Sequence, residues 1–445
     1  MKALEKPPTV RNWEENNFQE AIQLFYSDKI KPLIREANKK YVYWDKFKYL
    51  KIPERVDPRT AWFCLKMSRS IQTRPIPAKD KRGQPFNFWL PDQVMENLHF
   101  IDSFAGGQIA LDEPVPNKEL KEKYLMRSLI EEAISSSLLE GAATTRKKAK
   151  ELLISGKKPV SHAEKMIFNN YTTVKKLSSF KDRPLSIELL NSIHRSITEG
   201  TLKDPETSGR FRTSDDEPIV VQDFQGNTLF EPPPAGEVEP MALALIEFAN
   251  QNQVPGEFIH PVIKAIILHF WLAYIHPFVD GNGRTARALF YWHLLKNNYW
   301  LMEYLSISSI FLKAPVQYAR SFLYSEIDDR DLTYFIVYNL RVIRTAIDNL
   351  KFYIARKQKE VRLFDENLRG YPELNSRQSA LLKHACRHPN FFYSIKNHQI
   401  RHGVTYQTAR TDLLDLAKKK LMEKIKKGKT FYFILSKNFE RGVAE

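Results

Sequence analysis

One stretch of this chain constrains its fold more than any other. From Val262 to Phe278 the sequence is almost continuously apolar, interrupted by Lys264 and His269, and it ends in His276-Pro277. It is too interrupted to cross a membrane and reads as a buried core helix. Gly281 and Gly283 follow, and helical periodicity resumes from Arg284 to Leu295. A helix therefore starts at the glycines. Backbone N–H groups at a helix start carry partial positive charge and have no internal partner, and glycine lets an anion approach them closely. Arg284 and Arg287 are three apart, so both guanidinium forks project from nearly the same face of the new helix and can grip phosphates. Asp280 offers one hard oxygen to a magnesium ion that bridges phosphates. His276 stands at the loop entrance, where a neutral imidazole could take the proton of an attacking hydroxyl. These groups together describe a polyphosphate site; singly, each would be an ordinary core histidine, a solvated arginine or a turn.

The run His276-Pro277-Phe278-Val279-Asp280-Gly281-Asn282-Gly283-Arg284-Thr285-Ala286-Arg287 resembles the signature of the Fic-domain family at every defined position. The resemblance covers roughly 136–330. It implies transfer of AMP from ATP, with Mg2+, to a Ser, Thr or Tyr hydroxyl of a protein target, which includes the chain itself. It also implies the roles: His276 as base, Asp280 on the metal, Gly281, Asn282 and Gly283 around the α-phosphate, Arg284 and Arg287 on the other phosphates, and Phe278 as the buried anchor of the loop. A related branch that transfers phosphate carries lysine where Gly283 stands. The segment Ile219-Val220-Val221-Gln222 resembles the family's flap, an edge strand that pairs with the target main chain, and a structural hairpin is the equal alternative. Tyr318 falls where the family often sets a ring against adenine; internal packing is the other reading.

Ser136-Ser137-Leu138-Leu139-Glu140-Gly141 resembles the family's inhibitory motif in the class whose inhibitory helix lies N-terminal to the signature. Gly141 is a helix stop, which places Glu140 at a C-terminal end where the helix dipole disfavours an anion and a cation is needed. The resemblance supplies Arg287 as that cation. In some relatives the same glutamate supports removal of AMP.

Along the chain, the first 115 residues are aromatic-rich and carry no chemical motif. One helix is expected over about Asn17–Ala37, with Asp57-Pro58-Arg59 and Arg74-Pro75-Ile76-Pro77 as loops. Helices are expected near Glu119–Leu139, Ser161–Ser178, Ser186–Thr198, Gly236–Asn252, Phe258–Ile275 and Asn282–Lys296. Pro218–Val221 and Thr228–Phe230 flank Gly226-Asn227 as strand, turn and strand. Ile336, Leu340, Ile343, Ile347, Leu350 and Ile354 recur at heptad spacing, which predicts a long helix packed along the core, with a homodimer contact as the alternative. Gly370-Tyr371-Pro372 ends it. The fold class is therefore mainly α: a Fic-type helical bundle (116–330) with an inserted β-hairpin, an N-terminal region (1–115), a connecting helix (331–370) and a C-terminal domain (371–445).

The chain has 445 residues and a net charge of +16. Between Asn375 and Arg441 fifteen Lys or Arg face four acids, so +11 sits in the tail. Three helices and a basic hairpin there resemble a winged helix-turn-helix. Tyr406, Gln407 and Arg410 would meet base edges, and Lys427 and Lys429 would meet phosphate, making DNA the expected partner. A DNA-binding regulator with a nucleotide-sensing core that does not turn over is the rival reading. Two cysteines, Cys64 and Cys386, exclude a disulfide framework or a cysteine zinc site, and the N-terminus lacks an apolar core region. A cytoplasmic protein without membrane partners is expected.

Overall fold

The expected helix over Asn17–Ala37 is two helices, α1 (Glu15–Tyr26) and α2 (Lys31–Lys40). Pro32 sits in the first turn of α2. It has no N–H to return to the preceding turn, so it can open a helix there but not continue one. The computed structural model describes residues 4–8, 15–106, 118–222, 226, 228–251, 258–387, 391–427 and 430–436. The chain is mainly helical and forms two units, Met1–Asp348 and Asn349–Glu445.

In the first unit α3 (Trp44–Phe47) and α4 (Pro58–Ser70) follow, then an antiparallel hairpin of β1 (Arg74–Lys79) and β2 (Pro85–Phe88), then α5 (Asp92–Ile101). The two clusters expected as loops are thus an N-terminus and a strand. Asp57 caps α4 by accepting from Arg59 N at 2.9 Å and Thr60 N at 3.3 Å, with Pro58 in the first turn. This region is fastened to the core by buried polar contacts. The Arg69 guanidinium, 1% exposed, lies 3.9 Å over the Tyr41 ring and donates to Tyr334 Oη and the Val42 carbonyl. Tyr41 Oη donates to Asp331, and Asn87 exchanges main-chain hydrogen bonds with Arg330 and Leu332. Phe86 packs edge-on against Phe270 and Tyr274.

The core comprises α6 (Lys118–Leu139), α7 (Arg146–Ser155), α8 (His162–Phe180), α9 (Ile187–Thr198), a short hairpin of β3 (Val221–Gln222) and β4 (Thr228–Phe230), α10 (Ala235–Asn250), α11 (Pro261–Ile275), α12 (Asn282–Lys296), α13 (Ser308–Lys313) and α14 (Pro315–Ile327). Serines open two of these helices as expected of good caps. Ser161 and Glu164 form a reciprocal capping box on α8, and Ser186 accepts from Leu189 N on α9. α11 and α12 are buried on nearly every side, the mark of a central helix pair. The strand expected from Pro218 begins only at Val221. β4 has three residues, so the ladder reaches Val221↔Phe230 and Gln222↔Thr228 and no further.

α15 (Thr333–Arg369) contains the heptad positions, and Ile336, Leu340, Ile343 and Ile347 are buried within the chain. Among the described residues no helix is long and apolar enough to cross a membrane.

The second unit holds α16 (Ser376–Arg387), α17 (Ile395–His402), α18 (Tyr406–Lys418) and an antiparallel hairpin of β5 (Met422–Lys427) and β6 (Thr430–Leu435), with Tyr393 bridging to Phe433. Leu381, Leu382, Leu413, Leu416 and Phe433 form its core. Asp412, 4% exposed, is its polar centre: it accepts from Asn375, from two Arg377 nitrogens, and pairs with His398 Nε2 at 3.1 Å. Burial pushes its carboxyl up, but Arg377, Asn375 and His398 outweigh this and hold it below the ordinary value. Its stabilising contribution is thus complete above the ordinary carboxylate range and is lost as pH falls through the depressed pKa. Asp412→Ala should cost this unit about 2 kcal/mol at neutral pH, read as faster hydrogen exchange in α18 of the full chain. Unchanged exchange would contradict the assignment.

Candidate functional site

The site is built at the junction of α11 and α12. α11 stops at His276, whose backbone is left-handed (φ 51°), with its N–H returning to the Leu272 carbonyl. The imidazole Nδ1 lies 3.2 Å from the Ala273 carbonyl. A neutral ring therefore carries its proton on Nδ1 and keeps the Nε2 lone pair free. Burial pushes the His276 pKa below its ordinary value, against the opposing pull of the Ala273 carbonyl and Glu140. The ring is neutral at pH 7.

The loop after His276 is held by side chains from distant segments. Phe278 is fully buried and stacks on His194 of α9, with centroids 3.7 Å apart and planes 3° apart. His194 Nδ1 accepts from Gly209 N at 3.0 Å, so its Nε2–H donates to the Asp280 carbonyl at 2.8 Å. Burial lowers its pKa to about 4, which keeps this donor and acceptor assignment fixed. Arg212 donates from Nε to the His276 carbonyl at 2.8 Å, and its backbone N–H donates to the Pro277 carbonyl at 2.9 Å. Neither His194 nor Arg212 carries a local sequence signal, and both were absent from the residues singled out by motif.

Gly281 begins α12 with φ +82°, and a Cβ there would lie 2.7 Å from the Thr198 methyl. Both backbone and space demand glycine. The Asn282 carboxamide closes the loop on itself: Phe278 N donates to Oδ1 at 2.9 Å and Nδ2 donates to the Phe278 carbonyl at 2.7 Å. The side chain thus fixes the loop, and the Asn282 backbone N–H at the start of α12 is what it leaves aimed at a ligand site. A Cβ at Gly283 would collide with the Glu140 carboxylate, so that carboxylate lies directly against the start of α12.

The two arginines differ sharply. Arg284, 1% exposed, donates from one nitrogen to the Ile197 carbonyl at 3.3 Å, while Nε and the other terminal nitrogen are buried without a hydrogen-bond partner. Its nearest acid, Asp280 Oδ2, stands 3.7 Å away. Arg287, 2% exposed, is fully engaged: Nε donates to Ser136 Oγ at 2.9 Å, and one terminal nitrogen donates to the Ser136 carbonyl at 3.0 Å and to Glu140 Oε1 at 2.9 Å. Gly141 ends α6 with φ +84°, leaving Glu140 at its C-terminal end. Burial works against the Arg287 charge, and Glu140, Tyr318 and Glu132 together more than offset it, leaving its pKa raised.

The Asp280 side chain is about half exposed at 56%. Among the described residues no three His, Cys, Asp or Glu side chains cluster as a metal cage. One exposed carboxylate next to a phosphate-ready helix start fits a cation that takes its remaining ligands from substrate and water.

Tyr318 sits in an aromatic group, stacked on Phe311 at 4.2 Å and bonded to His269 Nε2 at 2.8 Å. Ile219 and Val220 precede the β3 ladder, with Val220 40% exposed. In the second unit Tyr406, Gln407 and Arg410 are exposed on one face of α18; Lys427 lies on β5, and Lys429 lies outside the described residues.

Part of the chain is similar to known proteins. Residues 184–294 match the Fic/DOC family model. Protein adenylyltransferase Fic of Nematostella vectensis is 26% identical over 204 residues, 44% of this chain and 42% of that protein. The Drosophila virilis protein of the same name is 32% identical over 120 residues, 26% of this chain and 24% of its own length. The chain thus spans less than half of these curated relatives. The crystal structure of a Fic family protein from Desulfovibrio desulfuricans G20 superposes with a TM-score of 0.49 at 20% identity, covering 77% of this chain and 94% of that one.

Gly281→Ala should destabilise the first unit by about 1–3 kcal/mol, read as a lower melting temperature. Adding Thr198→Ser, which removes the colliding methyl, should restore part of the loss and leave the backbone share. Full tolerance of alanine would contradict the loop geometry. The segment matching the Fic/DOC family model, residues 184–294, is the one that supplies His194, Arg212, the loop from His276 and both arginines of the site.

Proposed function

We propose that this chain is a Fic-type protein adenylyltransferase that moves AMP from ATP to a protein hydroxyl and is held inactive by Glu140. The observation that carries the reading is the contrast between the arginines. Arg284 presents buried, unpartnered nitrogens beside a helix start, and Arg287 is occupied by Ser136 and Glu140. A buried guanidinium needs an anion, and phosphate oxygens satisfy it as a carboxylate does.

In the reaction the target hydroxyl oxygen forms a bond to the α-phosphorus as the bond from that phosphorus to the β-phosphate oxygen breaks. Pyrophosphate leaves, and the hydroxyl proton passes to His276 Nε2, the lone pair left free by the Ala273 contact. The N–H groups of Asn282 and Gly283 at the start of α12 would face the α-phosphate. Asp280 would hold Mg2+, which supplies charge neutralisation to the phosphates when bound. The main chain at Ile219 and Val220, before the short β3 ladder, would pair with the target as a flap. Glu140 on Arg287 denies the γ-phosphate its partner.

A second activity rests on the second unit. Its three helices and hairpin resemble a winged helix-turn-helix, and Tyr406, Gln407 and Arg410 share one exposed face of α18. With fifteen basic residues against four acids in 375–441, we infer DNA binding through this face, in a reducing cytoplasm. Lys427→Ala should weaken binding to a DNA duplex and flatten its salt dependence, and Arg410→Ala should weaken it and relax sequence preference; no affinity near ~50 mM salt would overturn this second activity.

Glu140→Gly should raise self-labelling from α-labelled ATP by at least about tenfold, the scale of losing one charge-assisted contact. His276→Ala should abolish it. Label arriving only from the γ-phosphate would mean a kinase, and equal labelling by wild type and Glu140→Gly would remove the brake. Neutral His276 is the working form and burial holds its pKa below 6.5. The acid limb of the Glu140→Gly rate profile should therefore lie below pH 6.5; a limb above it would contradict the base assignment.

A further inference from the structure

α6 carries a third polar residue on the face that meets the site. Glu132, Ser136 and Glu140 are spaced by four, so they stack along one stripe of the helix. Glu132 is 2% exposed, and its carboxylate accepts from Ser308 N at 3.0 Å, Ser306 Oγ at 3.0 Å and Ser308 Oγ. Nothing in the transfer reaction uses it. Ser306 and Ser308 belong to the segment entering α13, and that segment is itself pinned to α12. Tyr291 Oη donates to the Leu305 carbonyl at 3.1 Å and accepts from Ile307 N at 3.1 Å.

Tyr291 is four residues after Arg287. The contacts therefore descend α12 as they climb α6: Glu132 meets the segment held by Tyr291, and Ser136 with Glu140 meets Arg287. Two helices joined at two such points, one helical turn apart, have their axial register fixed. A slip of one residue along α6 moves each side chain by about 1.5 Å and rotates it by about 100°, enough to break a 2.9 Å contact to Arg287. Burial pushes the Glu132 carboxyl up, while the Ser308 hydroxyl and N–H and the nearby Arg287 pull it back. Its departure from these donors would leave a buried acid unsatisfied, which opposes slippage.

We propose that Glu132 is the positioning residue of the brake: its bonds to Ser306 and Ser308 set the register of α6 at which Ser136 and Glu140 capture Arg287. This rests on the reading of Glu140 as a brake. It further assigns relief of inhibition to the last turn of α6, beyond Ser136, with the anchored part of the helix staying in place. Asn170 Nδ2 on the Ala133 carbonyl holds that part from the α8 side.

The test is self-labelling from α-labelled ATP by the full chain carrying Glu132→Ala, Glu132→Gln or Ser308→Ala, each alone and combined with Glu140→Gly. Hydrogen exchange of the 133–140 amides is measured in the same proteins. Glu132→Ala and Ser308→Ala should raise labelling several-fold over wild type, Glu132→Gln less because it keeps one acceptor, and none should raise it further once Glu140 is glycine. Exchange over 133–140 should quicken in Glu132→Ala. Wild-type labelling in the single variants, or the same rise or fall with and without Glu140, would overturn the assignment. If Glu132→Ala does not fold, Glu132→Gln and Ser308→Ala decide by the same comparison. If Glu140→Gly itself stays at the wild-type level, the brake reading has failed, and the exchange measurement alone decides whether Glu132 sets the register.

Discussion

A guanidinium buried to 2% exposure has to be given an anion, and the proposed regulation of this chain follows from which one Arg287 receives. Glu140 and Ser136 supply three contacts from the end of α6. One turn before Arg287, Arg284 keeps two buried nitrogens without a hydrogen-bond partner at the start of the same helix. Removing Glu140 without replacement leaves a buried charge uncompensated, so the open state is stable only when another anion arrives.

The loop between α11 and α12 shows how a short segment is made rigid from outside. Phe278 is sandwiched on His194, Asn282 bridges back to Phe278, and Arg212 clasps the His276 carbonyl. Each main-chain group so occupied is removed from competition for ligand. What stays available is what a nucleotide would need: the helix start of α12, the Arg284 nitrogens that have no hydrogen-bond partner, the exposed Asp280 carboxylate and the Nε2 lone pair of His276. The N-terminal region belongs to the same frame, since Phe86 braces the end of α11 that presents His276, and the Lys81 amide donates to Tyr274 Oη at 3.1 Å.

How much of this could be read in advance depended on whether the signal was local. α12 begins at Asn282 and α15 ends at Arg369, because glycine and proline punctuate the chain within a few residues of each boundary. The phosphate-ready loop was legible for the same reason. The pairing of Glu140 with Arg287 spans 147 residues; Gly141 and the dipole explain why a cation is needed, but only the family resemblance named which. His194 and Arg212 had no such cue: one histidine on an amphipathic helix and one arginine in a loop are defined by what the fold brings to them. The errors were local too. Pro32 divides what hydrophobic periodicity presents as one helix, Asp57-Pro58 is a cap with proline in the first turn and not a loop, and the strand before Val221 lacks a partner long enough to pair with it.

The most direct test of the account is calorimetric titration of ATP·Mg2+ into Glu140→Gly and into Glu140→Gly with Arg284→Ala. The account predicts one site per chain in the first and at least about tenfold weaker binding in the second, the scale of one lost charge-assisted contact. No binding to Glu140→Gly, or binding indifferent to Arg284, would contradict it.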